Sequence, residues 1–148
     1  MDTWSARYFS AEDVSHSATA IEHSIDNTAP APAMANAIIA AVGMDRVRHL
    51  LCCAILVSSW FRCLKLNRLV GSADTSAHRL GWAIDFTSPK FGPPLAICRA
   101  IIAAGIAFDQ LIYEGTWVHI SFDPRMRGEV LTAHKMNGRM SYTPGLPH

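Results

Sequence analysis

The apolar pattern of the chain changes type near residue 52, and this change constrains the fold more than any other feature. From Pro32 to about Leu51 the sequence is rich in Ala, Ile, Leu and Met, as in a helix, with Gly43 as an expected interruption. After it come short apolar segments separated by Gly, Pro and Ser, which are typical of strands. Helices followed by strands predict an α+β fold.

The second part of the chain predicts a small, mainly antiparallel sheet with one helix packed on it. A hairpin is expected where Glu114-Gly-Thr116 joins two strand-like segments, and Asn137-Gly138 predicts a second hairpin turn. Strands are predicted at residues 54–57, 82–86, 108–113 and 117–122, the first of them buried. Helices are predicted at residues 62–70 and 93–105, and a capping box at 10–13 starts a short N-terminal helix.

Length and charge exclude several classes of protein. The 148 residues suit a single domain over residues 1–148, and 50% apolar residues exclude wholesale disorder. The 13 Lys and Arg against 12 Asp and Glu give a net charge of +1, which argues against a nucleic-acid binder. The longest apolar stretch, Leu50–Phe61, is too short to insert into a membrane. The N-terminus has no signal-peptide pattern, so we expect synthesis in a cytoplasm; the oligomeric state is left open.

The four cysteines, Cys52, Cys53, Cys63 and Cys98, match no zinc-knuckle or Cys-x-x-Cys spacing. Reduced thiols in a cytoplasm are mostly small buried apolar groups. We therefore expect four reduced, mostly buried cysteines, with no disulfide.

The most informative stretch runs from Ser76 to Phe86. His78 and Asp85 flank Gly81, which permits a turn that folds the histidine back toward the strand carrying the aspartate. The other residues of this strand are large and apolar, so a carboxylate among them is costly unless it is paired or bound to a metal. Imidazole and carboxylate are both good Zn²⁺ ligands.

A second histidine, His119, lies in the middle of the strand Trp117–Phe122 and alternates with Val118 and Ile120. Together with His78 and Asp85 it would supply three ligands and leave one tetrahedral position for water, which is the catalytic pattern. Glu114, just before that strand, is close enough to act as a general base on the water.

Each of these residues taken singly has a structural interpretation. A lone strand histidine is more often a hydrogen-bonded core residue than a ligand. Asp85 could cap a turn or pair with Arg62 or Arg79, and Glu114 could be a solvated surface residue. Trp117 fits the core or a pocket wall, with stacking on a substrate as the alternative.

The combination is more specific, because it resembles a known family. Ser-x-His-x-x-Gly-x-Ala-x-Asp-Phe at 76–86, followed by Trp-Val-His-Ile-Ser at 117–121, is similar to the zinc D-alanyl-D-alanine carboxypeptidases. Their small single-domain members include endolysin-type peptidoglycan hydrolases of bacteriophages. Flanking similarity extends over the segments 25–28, 58–67, 108–114 and 130–133. The chain departs from the family around Arg62, where Trp60-Phe61 replaces Gly-Tyr and Cys63-Leu64 replaces Ser-Pro.

The resemblance implies a hedgehog-like or D-Ala-D-Ala-peptidase-like fold with a zinc site on the sheet. It implies that Zn²⁺ is bound by His78, Asp85 and His119. Glu114 is implied as the general base and proton shuttle, and Arg62 as an arginine that contacts the substrate and stabilises negative charge. Ser76 and Trp117 are expected near the substrate.

The activity expected from this resemblance is zinc-dependent hydrolysis of peptide bonds in bacterial peptidoglycan. The enzyme would act in phage or prophage lysis, after release from the cytoplasm of the host or as part of a virion. Two alternatives stay open at this stage. One is a non-enzymatic, zinc-stabilised structural or virion protein, and the other is a cytosolic dipeptidase for free D-Ala-D-Ala.

Overall fold

Helices dominate the first part of the chain, as its apolar pattern predicts. A computed structural model describes residues 3–148. The short helices α1 (Ala11–Ser15) and α2 (Ala18–Glu22) precede the long helix α3 (Ala31–Leu51). The predicted capping box is present, since the Ser10 amide donates to the Asp13 carboxylate at 2.8 Å. Two shorter helices follow later, α4 (Leu64–Leu69) and α5 (Pro94–Ala103).

Six strands form one sheet in the order β1-β2-β4-β3-β5-β6. Every neighbouring pair is antiparallel except β3 and β5, which run parallel, so the predicted mainly antiparallel α+β architecture is confirmed. Both predicted hairpin turns are present, and Asn137 and Gly138 have the positive φ angles, +52° and +76°, of a two-residue turn. The strands are β1 (Leu56–Ser59), β2 (Ala83–Thr87), β3 (Gln110–Tyr113), β4 (Val118–Ser121), β5 (Glu129–Met136) and β6 (Arg139–Pro144).

The two faces of the sheet have different environments. One face, here called the core face, carries the buried apolar residues Ile84, Phe86, Leu111, Val118 and Ile120, and α3 and α5 contribute to the same core. Alternate residues of the same strands point the other way. We call this opposite side the site face, because it carries Asp85 and His119. Among the helices of residues 3–148, none combines the length and apolarity needed to cross a bilayer.

Two expectations about buried segments, the first strand and the cysteines, are wrong. The predicted buried strand 54–57 is instead β1, two residues later, and it is an edge strand whose Leu56 is 55% exposed. An edge strand has a neighbour on one side only, so apolar composition alone does not guarantee burial. The cysteines are all free, as expected, but only Cys98 is buried.

Gly43 does not interrupt α3, which continues through it to Leu51. The glycine is needed for packing, because a Cβ atom built there would lie 2.5 Å from the Phe122 ring. Phe122 itself is 4% exposed and follows directly after β4. The absence of a side chain at this position therefore lets the helix approach the sheet closely.

We expect Gly43→Ala to lower the free energy of unfolding. Helix propensity alone would make this substitution stabilising by up to about 1 kcal/mol. Overpacking against a buried ring costs about 1–3 kcal/mol, so the sign of the change separates the two effects. Urea denaturation measures it, and Phe122→Leu in the same background should recover part of the loss. A more stable Gly43→Ala protein would contradict this account of α3.

Candidate metal centre

His78 is fixed by a turn that the sequence predicts. Residues 77–80 form one 3₁₀ turn, which the Ser76 hydroxyl caps by accepting from the His78 amide at 3.3 Å. Gly81 ends the turn with φ +85°, and a Cβ there would collide with the Ala33 carbonyl oxygen. Glycine at this position is therefore required twice, for its backbone conformation and for space.

The sheet then brings Asp85 and His119 together, because they are directly paired between β2 and β4. His119 Nδ1 lies 2.9 Å from Asp85 Oδ1, and His78 Nε2 lies 3.1 Å from the same oxygen. The two imidazole rings are 5.1 Å apart, and all three residues are buried. Ligand atoms of His78, Asp85 and His119 all lie within 4.8 Å of one another, close enough to hold one metal ion.

The orientation of His78 is set by a backbone carbonyl. Its Nδ1 lies 2.7 Å from the Trp60 oxygen, so this nitrogen donates and Nε2 carries the lone pair that faces Asp85. A histidine held in this way by its second nitrogen is typical of metal ligands. Trp60, one of the departures from the family pattern, is fully buried, and its Nε1 donates to the Gly81 oxygen at 2.9 Å.

The electrostatics of the cluster suit a metal cation. Burial lowers the pKa of His78, which favours the neutral imidazole that a metal requires. Burial alone would raise the pKa of Asp85, but its close contacts with the two imidazole rings outweigh burial and hold that pKa well below its usual range. The Nε2 atoms of both histidines are buried without a hydrogen-bond partner. Two imidazole nitrogens and one carboxylate oxygen are a donor set that zinc prefers.

Arg62 contacts the carboxylate of this cluster directly. Its Nη2 lies 3.1 Å from Asp85 Oδ2, its Nε donates to the Ser59 hydroxyl at 3.0 Å, and its Nη1 donates to Asn67 at 3.3 Å. The pairing of Arg62 with Asp85 had been one of the structural alternatives for the aspartate. The two functions are compatible, because Arg62 occupies Oδ2 while Oδ1 faces the histidines.

Two buried asparagines that the motifs did not single out as functional hold the arginine segment in place. Asn27 donates to the Phe61 oxygen at 2.9 Å and accepts from the Cys63 amide at 2.8 Å, so it brackets Arg62. Asn67 accepts from Arg62 and donates to the Ala73 oxygen at 2.8 Å. Both lie in segments with family similarity, which was the only sequence signal for them.

Glu114 and Trp117 lie side by side on the site face, next to the cluster. The Glu114 amide donates to the Trp117 oxygen at 3.1 Å. Glu114 comes two residues after Ile112, and Trp117 comes two residues before His119, the direct partner of Ile112. Since alternate strand residues share a face, Glu114 and Trp117 point to the same side of the sheet as His119. Burial raises the pKa of Glu114, and the neighbouring charges of His119, Asp85 and Arg62 also act on it. Trp117 is partly buried, and its Nε1 has no hydrogen-bond partner.

Two other carboxylates near the ends of the β3–β4 hairpin strands, Asp109 and Asp123, are already paired with arginines. Asp109 makes a two-point ion pair with Arg127, at 2.9 and 3.0 Å, and lies at the far end of the hairpin from Glu114. Asp123 accepts from Arg125 at 3.1 Å. Of these three carboxylates, Glu114 is therefore the one beside the His-Asp-His cluster.

A buried three-donor cluster beside a half-buried glutamate is the arrangement of a hydrolytic metalloenzyme. The family model of Peptidase M15 matches residues 7–121, which is most of the chain and includes all the residues of this site. The chain belongs to the Peptidase M15 family, and the protein is a zinc-dependent peptidase. The resemblance to zinc D-Ala-D-Ala carboxypeptidases is thereby confirmed at the level of the family. No curated protein matches the chain significantly.

Proposed function

We propose that this zinc peptidase cleaves peptide bonds of bacterial peptidoglycan, in stem peptides or cross-links, as a D-Ala-D-Ala carboxypeptidase or endopeptidase. One observation supports the location of the reaction above all others. His78, Asp85 and His119 converge on the site face with their ligand atoms within 4.8 Å, and both histidines keep an unpartnered Nε2. In this proposal they are the zinc ligands.

When bound, zinc acts as a Lewis acid that polarises a scissile carbonyl and makes water acidic near neutral pH. Glu114 would take the proton from water and later deliver it to the leaving amine. Its half-buried position beside Trp117 favours this role, because burial raises the pKa of the carboxyl group and so makes the carboxylate a stronger base. Trp117 would form a wall for the bound peptide, and Ser76, which caps the His78 turn, would lie near it.

Arg62 has two tasks in this proposal. It holds Asp85 through Oδ2, and two of its five N–H donors are not used by the Ser59, Asn67 and Asp85 contacts. Those donors could stabilise the negative charge that develops on the substrate.

We expect Arg62→Lys to lower kcat/KM by at least about tenfold, because a point charge cannot replace a planar donor fork and loss of a partner behind a ligand typically costs 10–100-fold. Arg68→Lys is the matched control, since Arg68 pairs with Asp74 on the exposed surface and should tolerate the change. Steady-state kinetics of the two zinc-loaded variants test the assignment. Wild-type kcat/KM in Arg62→Lys would remove Arg62 from the mechanism.

The setting we propose is phage or prophage lysis, with the enzyme reaching the wall after release from the host cytoplasm or within a virion. This setting is supported by the resemblance to small endolysin-type members of the family. The non-enzymatic alternative is set aside, because the chain belongs to a family of peptidases.

Digestion of purified peptidoglycan, followed by mass spectrometry of the released fragments, tests the proposed substrate. We expect fragments shortened at bonds that involve D-alanine, and none from protein in which Glu114 is replaced by glutamine. A protein that hydrolyses free D-Ala-D-Ala but releases nothing from the wall would instead be a dipeptidase. Hydrolysis of all-L peptides only would place the substrate outside the cell wall.

A further inference from the structure

The register of the sheet places four residues in one row across the site face. Glu114 pairs with Trp117 across the hairpin turn. The parallel register aligns Tyr113 with Thr132, so the next residues along, Glu114 and Ala133, are also neighbours. Ala133 is in turn paired with Tyr142 of β6. The row therefore runs from Trp117 through Glu114 and Ala133 to Tyr142, on the face that carries Asp85 and His119.

Ala133, in the middle of this row, has a small side chain, so no bulky group lies between Glu114 and Tyr142. Tyr142 and Glu114 are separated by two strand spacings, about 10 Å, with only the methyl group of Ala133 between them. Side chains as long as tyrosine and glutamate reach neighbours across such distances. The environment agrees with this placement, because burial and the charges of Glu114 and Asp85 raise the pKa of Tyr142. The phenol is therefore protonated at neutral pH and able to donate a hydrogen bond.

Tyr142 is at the same time accessible. Its side chain is 49% exposed, although it lies in a strand and faces the catalytic side of the sheet. Within residues 3–148, the side-chain hydrogen bonds of β5 and β6 involve Glu129, Thr132, His134 and Thr143 and leave the Tyr142 hydroxyl group free. It also lies outside residues 7–121, the part of the chain that matches the peptidase family.

We propose that Tyr142 binds the peptide substrate beside Glu114 and is a specificity-determining residue of this enzyme. The inference rests on the proposed function, in taking the His-Asp-His cluster with Glu114 as the place of hydrolysis. Its aromatic ring packs against the substrate chain, and its hydroxyl donates to a carbonyl or carboxylate oxygen of that chain. The occupant of this side of the sheet is thus the peptide being cut, because the row is continuous with the catalytic residues.

The distance between Tyr142 and the His-Asp-His cluster predicts which part of the substrate contacts Tyr142. Tyr142 on β6 lies three strand spacings across the sheet from His119 on β4 and two residues along it, which together give about 16 Å. An extended peptide covers about 3.3 Å per residue and the long tyrosine side chain spans part of the distance, so Tyr142 meets substrate residues about two to four positions from the scissile bond. A dipeptide is too short to reach it. Loss of the Tyr142 contact should therefore affect long substrates and spare short ones.

The test compares Tyr142→Ala and Tyr142→Phe with wild type on D-Ala-D-Ala and on peptides that extend it by one to three residues at either end. We expect Tyr142→Ala to raise KM about tenfold for the longest peptides of one series, with kcat and zinc content unchanged. The dipeptide should show no difference. Tyr142→Phe should fall between Tyr142→Ala and wild type, because it keeps the ring and loses the hydroxyl.

Tyr8→Ala is the matched control, since Tyr8 is similarly exposed, at 41%, and contacts Arg7 and Arg48 instead of the site. A thermal melt of each variant checks that the overall fold is retained. Equal KM values for wild type and Tyr142→Ala on every peptide would overturn the role of Tyr142 and leave the proposed function intact. A KM increase of the same size for the dipeptide would also overturn it, because the contact would not depend on length. Absence of turnover by the wild type on all peptides would overturn the proposed function, and the Tyr142 assignment with it.

Discussion

Replacing Glu114 with glutamine is expected to give a folded, zinc-loaded protein whose kcat is lower by about 10²–10⁴. Glutamine keeps the size of the side chain but cannot take a proton from water at neutral pH. Glu114 lies on the site face beside Trp117 and shares its environment with His119 and Asp85, without being part of the His-Asp-His cluster. Its loss should therefore stop turnover and spare metal binding. Kinetics on protein of verified zinc content measure the effect.

The matched control is Glu129→Gln. Glu129 is also partly buried and on the site face, where it accepts from Gln110 at 2.7 Å, away from the cluster. We expect near-normal kcat in this variant and a stability change within about 0.5 kcal/mol. If Glu114→Gln retained zinc and turned over normally, another group would be the base. If it lost zinc, Glu114 would be a fourth ligand and the site would be closed.

The substitutions His78→Ala, Asp85→Ala and His119→Ala should each remove most of the bound zinc and nearly all activity. Each deletes one of the three proposed ligands, and two ligands alone do not form a stable zinc site. The zinc-loaded wild type should also have a higher Tm than the variants, because a metal that binds only the folded state stabilises it by mass action. Elemental analysis, kinetics and thermal melts measure the three effects.

The control for these variants is His49→Ala, at an exposed position near the end of α3. It should keep both zinc and activity. The assignment is contradicted if any of the three ligand variants retains about one zinc per chain together with wild-type turnover. Removal of zinc from the wild type by a chelator should reproduce the loss of activity, and zinc added back should restore it.

The sequence was sufficient for those parts of the fold and site that depend on neighbouring residues. Alternation in the segments around Glu114 predicted the hairpin of β3 and β4, and Asn137-Gly138 predicted the turn between β5 and β6. The turn at Gly81 was predicted because glycine adopts positive φ angles more readily than other residues. The spacing of His78 and Asp85 predicted that the two side chains meet, because both residues lie within one local unit made of a turn and the strand that follows it.

The other features of the fold and the site depend on contacts between segments far apart in the sequence, which local patterns do not encode. The parallel pairing of β3 with β5 joins residues that are nineteen apart in sequence, as in Gln110 and Glu129, and this pairing brings Tyr142 to the site face. Gly43 looks like a helix breaker, but its requirement comes from Phe122, far along the chain. The Trp60 carbonyl that orients His78 is a backbone group, which every residue type has, so the sequence does not indicate it.

The most direct test of the central claim is a crystal structure of the zinc-loaded protein with anomalous data on both sides of the zinc absorption edge. We predict one strong peak between His78, Asp85 and His119, with no fourth protein ligand and with Glu114 beside the metal but not bound to it. A peak at another place, such as the cysteines, would contradict the account. So would an empty cluster in protein that is fully active, because the peptidase activity would then have to come from a different site.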